Sequence, residues 1–127
     1  MRGRLLWIGL ASLAAAVACA PPAAGNPCHG SGFDCADAHT ALECRTGTWT
    51  ALPCRGPDGC SHQGSSVRCD FSADLAGDAC PLSKENEGLC GPQGRSVLQC
   101  RAGTLVTTAT CSTCAVDADA GVVRCTP

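Results

Sequence analysis

Twelve of the chain's thirteen cysteines fall into two consecutive sets of six, and this limits the possible folds more than any other feature. The first set is Cys28, Cys35, Cys44, Cys54, Cys60 and Cys69; the second is Cys80, Cys90, Cys100, Cys111, Cys114 and Cys125. About 45 residues around each set bury too little surface for an apolar core to hold them alone. Large core side chains are also scarce, with two Trp, two Phe and no Tyr among 127 residues. A disulfide contributes about 2 to 4 kcal/mol by restricting the unfolded chain. Three per set therefore match or exceed the roughly 5 kcal/mol net stability of a marginal domain. Cross-links, with apolar packing second, are expected to order each half. Spacing does not choose among the pairings that six cysteines allow. Even counts and the cysteine-free join from Asp70 to Asp78 predict that pairing stays within each set.

Those two sets coincide with an internal repeat. Leu42-Glu43-Cys44-Arg45-Thr46-Gly47-Thr48-Trp49 aligns with Leu98-Gln99-Cys100-Arg101-Ala102-Gly103-Thr104-Leu105, five of eight positions being identical. Val67-Arg68-Cys69 aligns with Val123-Arg124-Cys125, and Gly25-Asn26-Pro27-Cys28 with Gly77-Asp78-Ala79-Cys80. The expected fold is small, disulfide-rich and β-hairpin-based, with two tandem six-cysteine modules at 28–70 and 80–127 and a linker at 71–79. Within the modules, Thr40–Cys44 with Thr48–Pro53, and Ser96–Cys100 with Thr104–Thr110, read as hairpins around short Gly-containing loops. Val67–Cys69 and Val122–Cys125 each read as a third strand, and Lys84–Leu89 as one helical turn at most.

Residues 1–18 read as a signal peptide, with Arg2 and Arg4 ahead of the apolar run Leu5–Ala18. That run is shorter than the roughly 20 residues a membrane-spanning helix needs. Ala16-Val17-Ala18-Cys19 resembles a bacterial lipobox, with Ala where Leu is usual at its first position. The resemblance implies cleavage before Cys19 and diacylation of its thiol. Cutting after Ala18-Cys19-Ala20 instead would leave Pro21 at the new N-terminus, a poor product for the general export peptidase. Cys19 is also the odd cysteine, and an odd thiol in an exported chain needs a chemical fate. Two or three acyl chains anchor stably where one binds only reversibly. Residues 19–27 are then a lipid-anchored tether, extended by its three prolines. The expected location is a membrane surface, the outer membrane first, or the secreted space.

The leader takes two of the nine basic residues with it, leaving seven against 11 acidic ones. Scattered charge of this kind gives no footprint for nucleic acid. Cys111-Ser112-Thr113-Cys114 has redox dithiol spacing but lacks the helix start and βαβ setting that such a pair needs. Zinc would need a second close ligand pair, and His29, His39 and His62 read as loop residues. Gly30-Ser31-Gly32 is a flexible loop and not a nucleophile turn. No catalytic residue, cofactor or metal is expected, and the chain reads as non-enzymatic.

Trp49 is the candidate binding residue, since exposed aromatics stack on sugars. The run from Cys44 to Cys54 followed by Gly56 resembles part of a peritrophin-type chitin-binding module, without that family's later cysteine gaps or its stacking aromatics. The aligned Leu105 favours an apolar, half-buried role for Trp49. Arg45 and Arg101, at equivalent hairpin ends, are candidate inhibitory residues for a trypsin-like protease, or simply solvated turns. Leader, Ala/Pro tether and repeat together resemble the cysteine-rich secreted lipoproteins of myxobacteria-like bacteria. That resemblance implies location more than activity. The function expected is a surface or periplasmic interaction or structural module with an unknown protein partner. A glycan- or wall-binding module is the alternative, followed by a protease inhibitor.

Overall fold

Two short, chemically similar runs nucleate the architecture. Thr40–Arg45 (β2) buries the consecutive residues Ala41 to Cys44, and Thr48–Pro53 (β3) joins strand-favouring Thr48, Trp49 and Thr50 to buried Leu52. They pair antiparallel with Arg45 opposite Thr48, leaving a two-residue loop. That loop, Thr46 and Gly47, has positive φ at both positions, 47° and 83°, the mirror-image turn whose twist suits a hairpin. Ser96–Arg101 (β7) and Thr104–Thr110 (β8) repeat this, with Ala102 and Gly103 at φ 49° and 78°.

In this computed structural model, which describes residues 20–117 and 119–127, both halves extend their hairpin alike. Phe33–Asp37 (β1) pairs with β2, giving a sheet in the order β1-β2-β3. Gly88–Cys90 (β6) pairs with β7, giving the order β6-β7-β8. Cys60–Gln63 (β4) with Ser66–Cys69 (β5), and Thr113–Asp117 (β9) with Val122–Thr126 (β10), form separate two-stranded ribbons. The Val67 and Val122 runs are thus strands, but each joins its own ribbon and not the first hairpin. Residues 84–89, expected as at most one turn, run from the end of the 3₁₀ turn Leu82–Lys84 through a turn at 85–86 to the start of β6.

The cysteines pair in the same order in both halves: first with third, second with fifth, fourth with sixth. The bonds are Cys28–Cys44, Cys35–Cys60 and Cys54–Cys69, then Cys80–Cys100, Cys90–Cys114 and Cys111–Cys125. All six pairings stay within a set. The second–fifth bond ties each three-stranded sheet to its ribbon, while the fourth–sixth bond closes the ribbon onto the end of the preceding strand. Such loops of 14 to 25 residues stabilise by about 3 kcal/mol each. Apolar packing is correspondingly small: Leu98 and Leu105 gather around Cys80 and Cys100, and Ala41 and Leu52 around Cys54. Six disulfides belong to an oxidising compartment, which fits an extracellular or exported protein.

The proline-rich segment ahead of Cys28 is not wholly a tether. Gly25 N–H donates to Trp49 O at 2.8 Å, Trp49 N–H to Asn26 O at 2.9 Å, and Cys28 N–H to Gly47 O at 2.9 Å. Backbone pairing needs no packing side chains, so a run of small residues still adds itself to the β3 edge. Gly77, Asp78 and Cys80 make the same three bonds with Leu105 and Gly103. The leader and Cys19 lie outside the described residues. Among the described residues, no helix is long and apolar enough to cross a membrane.

Candidate functional site

The junction between the halves concentrates most of the buried polar chemistry. Glu43 sits on β2 with 7% of its surface exposed, and Arg45 lies two residues along the same strand. Same-face residues on a strand are two apart, so the Arg45 Nε–H reaches Glu43 Oε2 at 2.5 Å. The other Glu43 oxygen accepts from the Leu82 backbone N–H at 3.1 Å, and the Arg45 guanidinium donates to Cys80 O. One ion pair on the first half thus grips both ends of the Cys80-Pro81-Leu82 backbone. Gly103 makes room for it: a Cβ there would lie 2.7 Å from Arg45 Nη1 and 3.0 Å from Leu82 Cδ2.

A second clamp acts through residues 71–79, the segment expected as a linker. Arg55 forms a two-pronged pair with Asp78, Nε to Oδ2 at 2.7 Å and Nη2 to Oδ1 at 2.9 Å. Asp78 also accepts from Leu75 N–H at 2.8 Å. The Arg55 hydrogen bond holds the Asp78 carboxyl below the usual carboxylate range, and Asp78 raises the Arg55 pKa in return. Asp70 accepts from the Ser72 and Asp58 N–H groups, at 3.0 and 3.1 Å, and its pKa is lowered chiefly by Ser72. Asp74 is different. It is fully buried, its Oδ1 accepts from Arg55 N–H at 3.2 Å, and its Oδ2 has no partner. Burial pushes its pKa from 3.8 to about 6.

Between these clamps, Phe71 packs against the Leu52–Cys54 cluster and helps line two adjoining hollows. One, of about 380 Å³, is bounded by Phe33, Leu52, Val67, Phe71 and Pro81, with Arg68 and Lys84 at its edges. The other, of about 230 Å³, runs past Phe71 and Pro81 to Leu89 and Leu105. Phe33 is 45% exposed and Leu82 is 50% exposed. The larger hollow has Arg68 and Lys84 in its lining, each paired with an exposed carboxylate just outside it, Arg68 with Asp58 at 3.9 Å and Lys84 with Glu87 at 2.9 Å.

The sequence candidates lie elsewhere or are already engaged. Trp49 is half-buried on β3, its backbone N–H and C=O both taken by the Gly25–Asn26 segment. Arg45 is not a free hairpin tip, because it belongs to the junction clamp. Arg101 is exposed, with its Nε–H on Gln99 Oε1 at 3.0 Å. Cys111 and Cys114 belong to different disulfides, so their two-residue spacing does not make a redox couple. His29, His39 and His62 are exposed, His62 lying 2.9 Å from Asp34. The Phe71 hollows and the Glu43–Arg45 clamp escaped sequence reading because their parts come from both halves. Comparison with family models, characterised proteins and solved structures gave no match to this chain.

Proposed function

We propose that the chain is an exported, non-enzymatic interaction protein, held to a membrane by lipid on Cys19, whose two six-cysteine modules bind a protein partner at the Phe71 groove. One observation carries this reading: an apolar hollow of about 380 Å³ is lined by Arg68 and Lys84 and no acid, in a chain whose mature charge is negative. Apolar walls with a few charged groups are the usual make-up of a recognition site. A segment with one apolar anchor and acidic flanks would fill the hollow and exchange for the exposed Asp58 and Glu87 partners of Arg68 and Lys84, with the charges setting specificity and on-rate more than affinity. Half-exposed Phe33 on its wall, and half-exposed Leu82 between the lining residues Pro81 and Ser83, widen the apolar contact around the hollow.

The test uses acidic peptides with a single central Leu or Phe, titrated into isotope-labelled protein and followed by amide shifts. The expected shifts map to Phe33, Val67, Phe71 and Leu82. Phe33→Ser and Lys84→Glu weaken binding, and Trp49→Ala leaves it unchanged. No peptide binding, together with Trp49-dependent retention on wall polysaccharide, would replace this reading with the glycan one. Trypsin inhibition lost in Arg101→Ala would replace it with the inhibitor reading.

A further inference from the structure

The order of the fold begins at Ala23, and this sets how far an anchored protein can stand from its membrane. Ala23 O accepts from Asn26 N–H at 3.1 Å, closing a turn, and Gly25 through Cys28 are paired to β3. The Cys28–Cys44 disulfide fastens that added strand to β2. Pro22 is itself half-buried. We propose that the first half rests against the phospholipid head groups, because only Ala20, Pro21 and Pro22 separate Cys19 from the Ala23 turn. The inference rests on the lipid anchoring proposed above and adds to it the surface that the protein contacts.

Magnitudes decide whether three residues suffice to hold the fold clear. Four Cα steps from Cys19 to Ala23 span at most about 14 Å. In the extended helix that consecutive prolines favour, they span about 12 Å. Acyl chains in the hydrocarbon core place Cys19 at the base of the head-group layer, which is about 5 to 8 Å thick per leaflet. Crossing that layer consumes about half of the leash. The remaining 5 Å or so equals the spacing of two neighbouring strands, too little to leave the sheet edge out in bulk water.

The protein carries its own reporter for this contact. Loss of residues 1–18 removes Trp7, which leaves Trp49 as the single tryptophan, on the strand to which the tether is paired. The experiment places membrane-extracted, lipidated protein in phosphatidylethanolamine–phosphatidylglycerol vesicles, with and without an energy acceptor on the head groups. A second version carries a Gly/Ser insertion of about 20 residues between Pro22 and Ala23, adding an average reach of about 25 Å. Intact mass reports the acyl chains and the six disulfides of both versions. The expected result is that Trp49 of the native chain loses most of its emission to the acceptor, while the insertion version keeps most of its own. Acyl mass on Cys19 with equal emission loss in both versions overturns the head-group contact alone. Absence of acyl mass overturns the anchor, and the contact with it.

Discussion

Replacing Asp74 by Asn tests the electrostatics of the junction at its most exposed assumption. Asp74 is fully buried, with one oxygen on the Arg55 N–H and the other unpartnered. Its pKa rises from 3.8 to about 6, burial being the largest cause. At about 1.4 kcal/mol per pKa unit, ionised Asp74 costs the native state about 3 kcal/mol. A folded pKa above the unfolded one means that the native state holds the proton more tightly. The contribution to stability is therefore complete below the unfolded pKa and is lost as pH rises through about 6. About 2 kcal/mol of it disappears between about pH 4.5 and pH 7.5. Asn is neutral throughout, and its amide nitrogen inherits the unpartnered position at a cost of about 1 kcal/mol. Asp74→Asn is then more stable than the native chain by about 2 kcal/mol at about pH 7.5, and close to it or slightly less stable at about pH 4.5. Guanidinium unfolding with the disulfides intact, run on both proteins at both pH values, measures this directly. The two proteins differ only at position 74, so the difference between them isolates Asp74. Parallel loss of stability in both proteins over this range would refute the reasoning.

Three further outcomes follow from the same geometry. Glu43→Ala leaves Arg45 inside the junction without its carboxylate and the Leu82 N–H without its acceptor, costing about 3 kcal/mol; hydrogen exchange at Leu82 rises well before exchange in β7. Gly47→Ala and Gly103→Ala share a positive φ, but a Cβ at position 47 meets only Cys28 O at 4.0 Å, while one at 103 meets Arg45 at 2.7 Å. Both lose about 1 kcal/mol to backbone strain, and only Gly103→Ala loses more, read from denaturation midpoints. Removing the Cys54–Cys69 bond as a paired Ser substitution opens a 15-residue loop and lowers unfolding free energy by about 3 kcal/mol.

The hairpins were legible because their chemistry is local. Gly47 and Gly103 permit the mirror-image turn, and Leu42, Leu52, Leu98 and Leu105 sit on strands whose inward positions are apolar. Strand β1 was harder to read: Phe33-Asp34-Cys35-Ala36-Asp37 carries two acids, and it is a strand because β2 offers it an edge and Cys60 a disulfide. The pairing order needed partners 14 to 25 residues away, which spacing does not encode. Residues 71–79 read as a linker from their Ala, Gly and Asp content. Their structure comes from acids turned inward, with Asp78 held by Arg55 23 residues back in sequence. The Glu43–Leu82 bond spans 39 residues. In the aligned second half Gln99 replaces Glu43, and its amide closes on Asn86 O at 2.7 Å within its own half. That one difference in the repeat marked the junction, and nothing in a single sequence gave it meaning.

Cross-links arranged identically in both halves are what this account depends on most. Peptide mapping of native, unreduced protein by mass spectrometry measures the arrangement directly. The result expected is Cys28–Cys44, Cys35–Cys60 and Cys54–Cys69 in the first half, with Cys80–Cys100, Cys90–Cys114 and Cys111–Cys125 in the second. A bond joining the two sets, or free thiols among these twelve in a cooperatively folded protein, contradicts it.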